Sequence, residues 1–252
     1  MAAETLDQAR ERLRPYVEKA RAATGWGFDV HSRKLQSRNW NYDARARQLL
    51  ADAGTVLDIG TGGGERLSTY CETYPGRAIA SEGWYVNAPI AGKRLRTLGI
   101  EVVFCDDEHL PFANRSFDLV LNRHSGLEPK DVARILKPGG RLLTEQIWGH
   151  WRELKRFFPS MNEFPGTFLE YSTGLRSAGL TILDCRTHMV PAAFKSLGEF
   201  VFMLSVASWT VPDLDPLGAD LETLLEVERE LTTRDGLVVS DGAFIIEAQK
   251  PA

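Results

Sequence analysis

"VLDIGTGGGERL", residues Val56–Leu67, decides how the rest of this chain is read. An apolar run drops into a cluster of glycines and passes into a charged, helix-compatible segment. That strand–turn–helix layout lets backbone N–H groups approach an adenosine-containing ligand. A dinucleotide fingerprint reads G-x-G-x-x-G, its third glycine allowing close helix–strand packing. Counted from Gly60, the second glycine is Gly62 but the third position is Glu65; counted from Gly62, Gly64 is followed by Leu67. Neither register fits, and Glu65 sets a carboxylate where a pyrophosphate would sit. Asp58 adds to this, because a buried strand rarely carries a carboxylate near its end without something for it to bind. The pattern is D-x-G-x-G-x-G, and it argues against NAD.

The stretch resembles the glycine-rich motif of the class I S-adenosylmethionine-dependent methyltransferases, in which the equivalent of LDIGTGGG cradles the amino acid and ribose end of the cofactor. The resemblance implies that Asp58, Gly60, Thr61 and Gly62 bind S-adenosylmethionine. Three further segments follow in the family's order. After "RAIA" come Glu82 and Gly83, with Glu82 lying 22 residues past Gly60, where a strand-end carboxylate chelates ribose hydroxyls. "FCDDEHLPFANRSFDLV" is similar to the family's D-x-E-x-L-P-F segment; the match gives Asp106 the adenine amino group, with Asp107 and Glu108 offering backbone groups to the ring. "VARILKPGGRLL" resembles the family's helix, lysine–proline–glycine turn and fifth strand. The likeness covers roughly residues 40–150. It departs at "SEGWYV", where family members more often have Asp followed by a small or polar residue.

Composition sets outer limits. The chain has 252 residues, enough for one large α/β domain or a domain with a small cap. Apolar residues make up 43% and charged ones 25%, ordinary for a globular protein. A net charge of −4 supplies no basic field for nucleic-acid phosphates, so no nucleic-acid partner is expected. Cys71, Cys105 and Cys185 lack metal-ligand spacing, which predicts free thiols and no metal. "MAAETLDQARERLRP" is charged rather than apolar, so no signal peptide is expected and a cytoplasmic location follows. The apolar run around "FVFMLSVASW" is shorter than the roughly 20 residues of a membrane span.

Hydrophobic periodicity predicts helices over Glu4–Ala23, interrupted near Pro15, and over Tyr42–Ala53, closed by Gly54. Strands are expected at Thr55–Ile59, Arg77–Ser81, Glu101–Cys105, Phe117–Asn122 and Arg141–Ile147, with helices around Glu65–Thr73, Asn87–Leu98 and Lys130–Leu136. Such alternation means parallel strands joined by right-handed crossovers. Thr181–Val190 and Ala243–Lys250 supply two late strands. With the family resemblance, the expected architecture is α/β: a Rossmann-like, doubly wound, mostly parallel seven-stranded sheet with an antiparallel last strand. Residues 1–53 form a helical N-terminal cap, 54–190 the cofactor core, 191–241 a mostly apolar helical lid, and 242–252 the last strand.

Methyl transfer asks mainly for alignment of a nucleophile with the methyl carbon and exclusion of water. A hydroxyl or ammonium acceptor also needs a base; a carboxylate does not. His124, in "LNRHSG" beyond the fourth core strand, is the best-placed candidate, its alternative role being to seat the cofactor's methionine part. Its neighbours Asn122 and Arg123 line the cofactor pocket on this reading, and Arg123 is placed to face a carboxylate. His150 in "WGHWREL" stands second as base; His109 belongs to the adenine loop, while His31 and His188 carry no distinguishing context. Trp26, Phe28, Trp40 and Tyr42 are expected on the cap, with Trp40 or Tyr42 against the sulfonium or in ordinary core packing. Phe200, Phe202, Met203 and Trp209 are expected to shape a pocket for flat or greasy groups, or else to form core.

The leading function is therefore methylation of an O or N atom of a small, partly apolar or aromatic molecule. A methyltransferase of RNA or protein is the alternative, disfavoured by the acidic charge and by the absence of an N-P-P-Y-like element or zinc module. A protein that binds the cofactor for other chemistry would keep the same motifs.

Overall fold

The computed structural model describes residues 4–107, 109–163 and 166–252. Before the main sheet come α1 (Leu6–Arg21), the two-residue strand β1 (Arg33–Lys34) and α2 (Tyr42–Ala51). Strand and helix then alternate: β2 (Thr55–Ile59), α3 (Glu65–Cys71), β3 (Arg77–Glu82), α4 (Ala88–Leu95), β4 (Glu101–Phe104), β5 (Phe117–Arg123), α5 (Pro129–Ile135) and β6 (Leu136–Ile147). The last part contains α6 (Thr167–Ser177), β7 (Thr181–Phe194), α7 (Leu197–Val206), α8 (Leu221–Leu231), the short β8 (Thr232–Thr233) and β9 (Gly236–Gln249).

The sheet order is β1-β7-β9-β6-β5-β2-β3-β4, with β8 hanging from β9. Strands β4, β3, β2, β5 and β6 run parallel, and β9 lies antiparallel between β6 and β7. The chain leaves β2 toward β3 on one side and returns at β5 on the other, so the topology switches direction between β2 and β5. Open α/β sheets bind ligands at such a point, outside the carboxyl ends of the strands. Register puts the relevant residues level there, with Ile59 opposite Ser81 and Asn122, and Arg123 opposite Glu145.

Burial explains why these segments become central strands. Val56, Leu57 and Ile59 have no solvent exposure, nor do Val120, Leu121, Leu142 and Leu143; strands covered on both faces read as continuous apolar runs. Leu67, Leu95, Leu49 and Leu50 from α2, α3 and α4 close one face. Val132, Ile135 and Leu175 from α5 and α6 close the other. A third apolar cluster joins α1, α7 and α8 to the distal ends of β7 and β9.

Four details differ from the sequence expectations. Helix α1 runs unbroken through Pro15: Pro15 faces solvent, where water can satisfy the carbonyl that its missing N–H leaves free. A Thr5–Gln8 capping box and the buried stripe Ala9, Leu13 and Val17 hold the helix as one piece. Residues 191–241 are not helical throughout, because β7 continues to Phe194 and β9 starts at Gly236, pairing Phe194 with Leu237; Val238 and Val239 are the β-branched residues that favour this. Helix α6 carries little apolar periodicity and is absent from the sequence reading. Finally, among the described residues the sheet has nine strands, β1 and β8 being two-residue additions to the expected seven.

Candidate active site

The glycine turn after β2 needs its glycines for a physical reason. Gly60, Gly62 and Gly64 have φ of 66°, 64° and 76°, left-handed values that cost an L-residue energy. A Cβ on Gly60 would collide with the Ser125 side chain, and one on Gly62 would lie 2.8 Å from Cδ1 of Trp26. Thr61 N–H donates to Ser81 O at 2.9 Å, and Thr61 Oγ1 donates to Asp58 Oδ2 at 2.7 Å. Glu65 starts α3 and pairs with Arg94 at 2.8 Å. A carboxylate does stand at this helix start.

Around the turn the carboxylates gather. Glu82 is 6% exposed, and its two oxygens accept from Gly62 N (2.6 Å) and Trp84 N (2.8 Å). Burial raises its pKa, and Asp107 pushes the same way against the backbone donors. The Asp58 carboxyl is pushed up to about 7, by burial first, with Glu82 and Asp107 adding to it against Thr61 and Arg66. Asp107 Oδ2 accepts from Ser125 Oγ and from Gly126 N at 3.1 Å. Asp107, which raises the pKa of both Asp58 and Glu82, completes with them a cradle of negative potential. It repels a pyrophosphate and suits a ligand with a sulfonium and an ammonium group. S-adenosylmethionine fits these residues: Asp58 and Asp107 would face its cationic end and Glu82 its ribose, while the bound sulfonium would supply the electrophilic methyl carbon.

Across the switch point stands a different environment. His124 follows β5 with a left-handed φ of 57°, its N–H fixed on Glu145 O at 2.9 Å. Its side chain is 38% exposed and its Nε2 lies 3.7 Å from Glu145 Oε1. Burial among protein groups, then the charges of Arg123, His150 and Arg38, hold the imidazole well below its usual pKa, against the pull of Asp241. His124 is thus a neutral acceptor near physiological pH. Glu145, 3% exposed, takes Trp40 Nε1 at 2.6 Å and Arg123 Nε at 2.7 Å. Asp241 on β9 binds Arg38 at 2.6 Å and lies 3.3 Å from both Lys34 Nζ and His150 Nδ1.

The structure brings Asp58, Gly60, Thr61, Gly62, Glu82, Asp107 and His124 to this one edge. Gly83 packs where a Cβ would meet Cys105 O at 3.0 Å. Asp106 Oδ1 accepts from His109 N at 2.6 Å in the neighbouring loop; Glu108 lies outside the described residues. Asn122 turns into the protein: its Oδ1 accepts from Thr144 Oγ1 (2.8 Å) and Gln146 Nε2 (2.6 Å), and its Nδ2 donates to Gly126 O (3.0 Å). Tyr42, 5% exposed, donates to Asn122 O at 3.2 Å. Both brace the turn that carries His124 and Ser125. The Trp40 ring is taken up by the guanidinium groups of Arg38 and Arg186, at 5.8 and 5.7 Å. Trp26 is instead the aromatic against the glycine turn, edge-on to Phe28 and to Trp209. Phe200 packs on Trp151 and Phe194 in the apolar core, fully buried.

Sequence reasoning missed Arg38, Ser125, Glu145 and Asp241. A signal existed for two of them, since Glu145 in "RLLTEQI" and Asp241 in "LVVSDGAFII" are charges inside apolar strands. Ser125 and Arg38 lie in loops whose path no periodicity reveals.

A doubly wound sheet with an acidic glycine turn at its switch point is the architecture that class I S-adenosylmethionine-dependent methyltransferases share. The family described as "Methyltransferase domain" matches residues 57–144. A ubiquinone/menaquinone biosynthesis C-methyltransferase of Desulfotalea psychrophila is 32% identical over 50% of this chain and 56% of its own length. A Mus musculus protein named "Probable tRNA methyltransferase 9B" is 30% identical over 49% of this chain and 28% of its own. The chain thus spans only about half, or less, of these curated relatives. Among solved structures, a candidate methyltransferase of Bacillus halodurans superposes with a TM-score of 0.59 at 18% identity, covering 83% of this chain and 99% of that one, a likeness of fold. Among the described residues no helix is long and apolar enough to cross a membrane.

Proposed function

We propose that this protein transfers the methyl group of S-adenosylmethionine to an O or N atom of a small, partly apolar or aromatic acceptor. The observation that carries the reading is the juxtaposition, at one sheet edge, of the acidic cradle of Asp58, Glu82 and Asp107 with a neutral, accessible His124. The cradle holds the cationic donor. His124 takes the proton from an acceptor hydroxyl or ammonium as the new bond to the methyl carbon forms and the carbon–sulfur bond breaks, with the electron pair returning to sulfur. Trp26 and Trp209 meet over the glycine turn and serve to exclude water during transfer.

The two curated relatives act, by their names, on a quinone precursor carbon and on tRNA, so the acceptor class needs its own test. Methyl-labelled S-adenosylmethionine is offered with hydroxyl, amine and carboxylate small molecules, and separately with bulk tRNA and cell protein. Label in a hydroxyl or amine compound is the expected result. Label in tRNA or protein alone would replace this reading with the macromolecular one.

A further inference from the structure

The two ends of the cleft differ in charge. Opposite the acidic cradle, Lys34, Arg38 and Arg123 stand among two buried carboxylates, Glu145 and Asp241. Two observations point to something this end is built to receive. The Arg38 side chain is only 7% exposed, yet its Nε has no hydrogen-bond partner, although the same guanidinium binds Asp241 at 2.6 Å. A buried donor left this way is costly, more so when charged, and is tolerated where a ligand completes it. Trp151 Nε1, on a ring 4.3 Å from that of His150, is a second buried N–H with no partner. The surroundings agree: after burial, Arg123, His150 and Arg38 outweigh Asp241 in lowering the His124 imidazole's proton affinity, and the His150 hydrogen bond, then Arg38 and Lys34, hold the Asp241 carboxyl far below the usual range even though burial opposes them. Left-handed backbone at His124, Gly149 and Trp151 fixes the loops that bound this corner.

We propose that the acceptor carries a compact anionic oxygen group, a carboxylate, which docks on Arg38 between the ends of β6 and β9, with Lys34 and Arg123 supplying the attracting field. The inference rests on reading this cleft as the acceptor site. It deepens that reading by naming the substrate class: a small acid bearing a second, methylatable group near His124. The guanidinium Nε–H then gains the acceptor that the protein itself does not give it.

The test is binding, so that it does not depend on turnover. With S-adenosylhomocysteine bound, the protein is titrated with matched acids and their primary amides: hydroxybenzoates against hydroxybenzamides, and medium-chain hydroxy acids against their amides. At least one acid should bind about ten- to a hundredfold more tightly than its amide, the range of one charge-assisted hydrogen bond. Arg38→Gln should erase that ratio, and Arg38→Lys should restore part of it. Lys34→Gln, on a largely exposed side chain that leaves packing untouched, should shrink the ratio about three- to tenfold and covers the case in which Arg38→Gln does not fold. Equal binding of acid and amide across the panel, or an unchanged ratio in both Arg38→Gln and Lys34→Gln, overturns the proposal. The methyl-transfer reading is judged separately by the label-transfer assay, so the two can fail independently.

Discussion

Asp58 couples proton binding to cofactor binding, and the size of the coupling can be worked out. In the free protein its carboxyl titrates at about 7, because it is buried beside Glu82 and Asp107. A ligand whose ammonium or sulfonium lies against the cradle favours the ionised form and releases that proton on binding. With free-state titration at about 7, roughly a tenth of Asp58 is protonated at pH 8 and roughly nine tenths at pH 6. The dissociation constant should therefore rise about tenfold from pH 8 to pH 6, or about 1.4 kcal/mol. Calorimetric titration with S-adenosylhomocysteine at pH 6, 7 and 8 and fixed ionic strength measures this. Asp58→Asn corrects for the ligand's own ionisation, since its side chain does not titrate, and its affinity should vary about tenfold less over the same range. Stability should move the other way. A raised folded-state pKa stabilises the free protein below the carboxyl's unfolded value near 4, and that contribution is lost as pH rises through about 7. Ligand-free Asp58→Asn should accordingly melt above wild type at pH 8, with the gap closing toward pH 5. Parallel pH profiles for the two proteins would refute the reasoning.

His124→Ala should lower turnover by about two to four orders of magnitude while S-adenosylhomocysteine affinity barely moves; equal losses in both would make it a seat for the cofactor instead. Because its neighbours hold the imidazole below 6.5, the acid limb of the wild-type rate should fall below pH 6.5, and a limb above 7 would exclude it as the base. Gly64→Ala should destabilise the fold by about 2–4 kcal/mol in urea unfolding, since it combines a left-handed φ with a Cβ 2.9 Å from Leu95 Cγ. Gly92→Ala, inside α4 with nothing within 4 Å of the new methyl, should stabilise by about 0.5–1 kcal/mol; reversed signs in this pair would contradict the packing described.

The cofactor half of the cleft was readable in the sequence because its chemistry is local. Gly60, Gly62 and Gly64 sit in one turn, Asp58 lies just before the end of the strand that leads into it, and Glu82 ends the next strand. Core strands were legible for the same reason, as apolar runs bounded by glycine, aspartate or serine. The acceptor half was not, because it is assembled over long separations. Arg38 meets Asp241 across 203 residues, and Trp40 meets Glu145 across 105. Asn122 shows the opposite limit: just before Arg123 and His124 in sequence, it reads as a ligand contact, yet the register with Thr144 turns its amide inward. Trp40, expected like Tyr42 either against the sulfonium or in core packing, lies 5.8 and 5.7 Å from the guanidinium groups of Arg38 and Arg186, a placement set by a loop rather than by a periodic element.

The central claim is that the glycine turn and Glu82 hold S-adenosylmethionine and reject a pyrophosphate. Calorimetry of wild type and Glu82→Ala with S-adenosylhomocysteine, with NAD as the competing ligand, tests it most directly. One site for S-adenosylhomocysteine, weakened about ten- to a hundredfold in a folded Glu82→Ala protein and accompanied by no NAD binding, is the predicted result. NAD binding, or full S-adenosylhomocysteine affinity without Glu82, would contradict it.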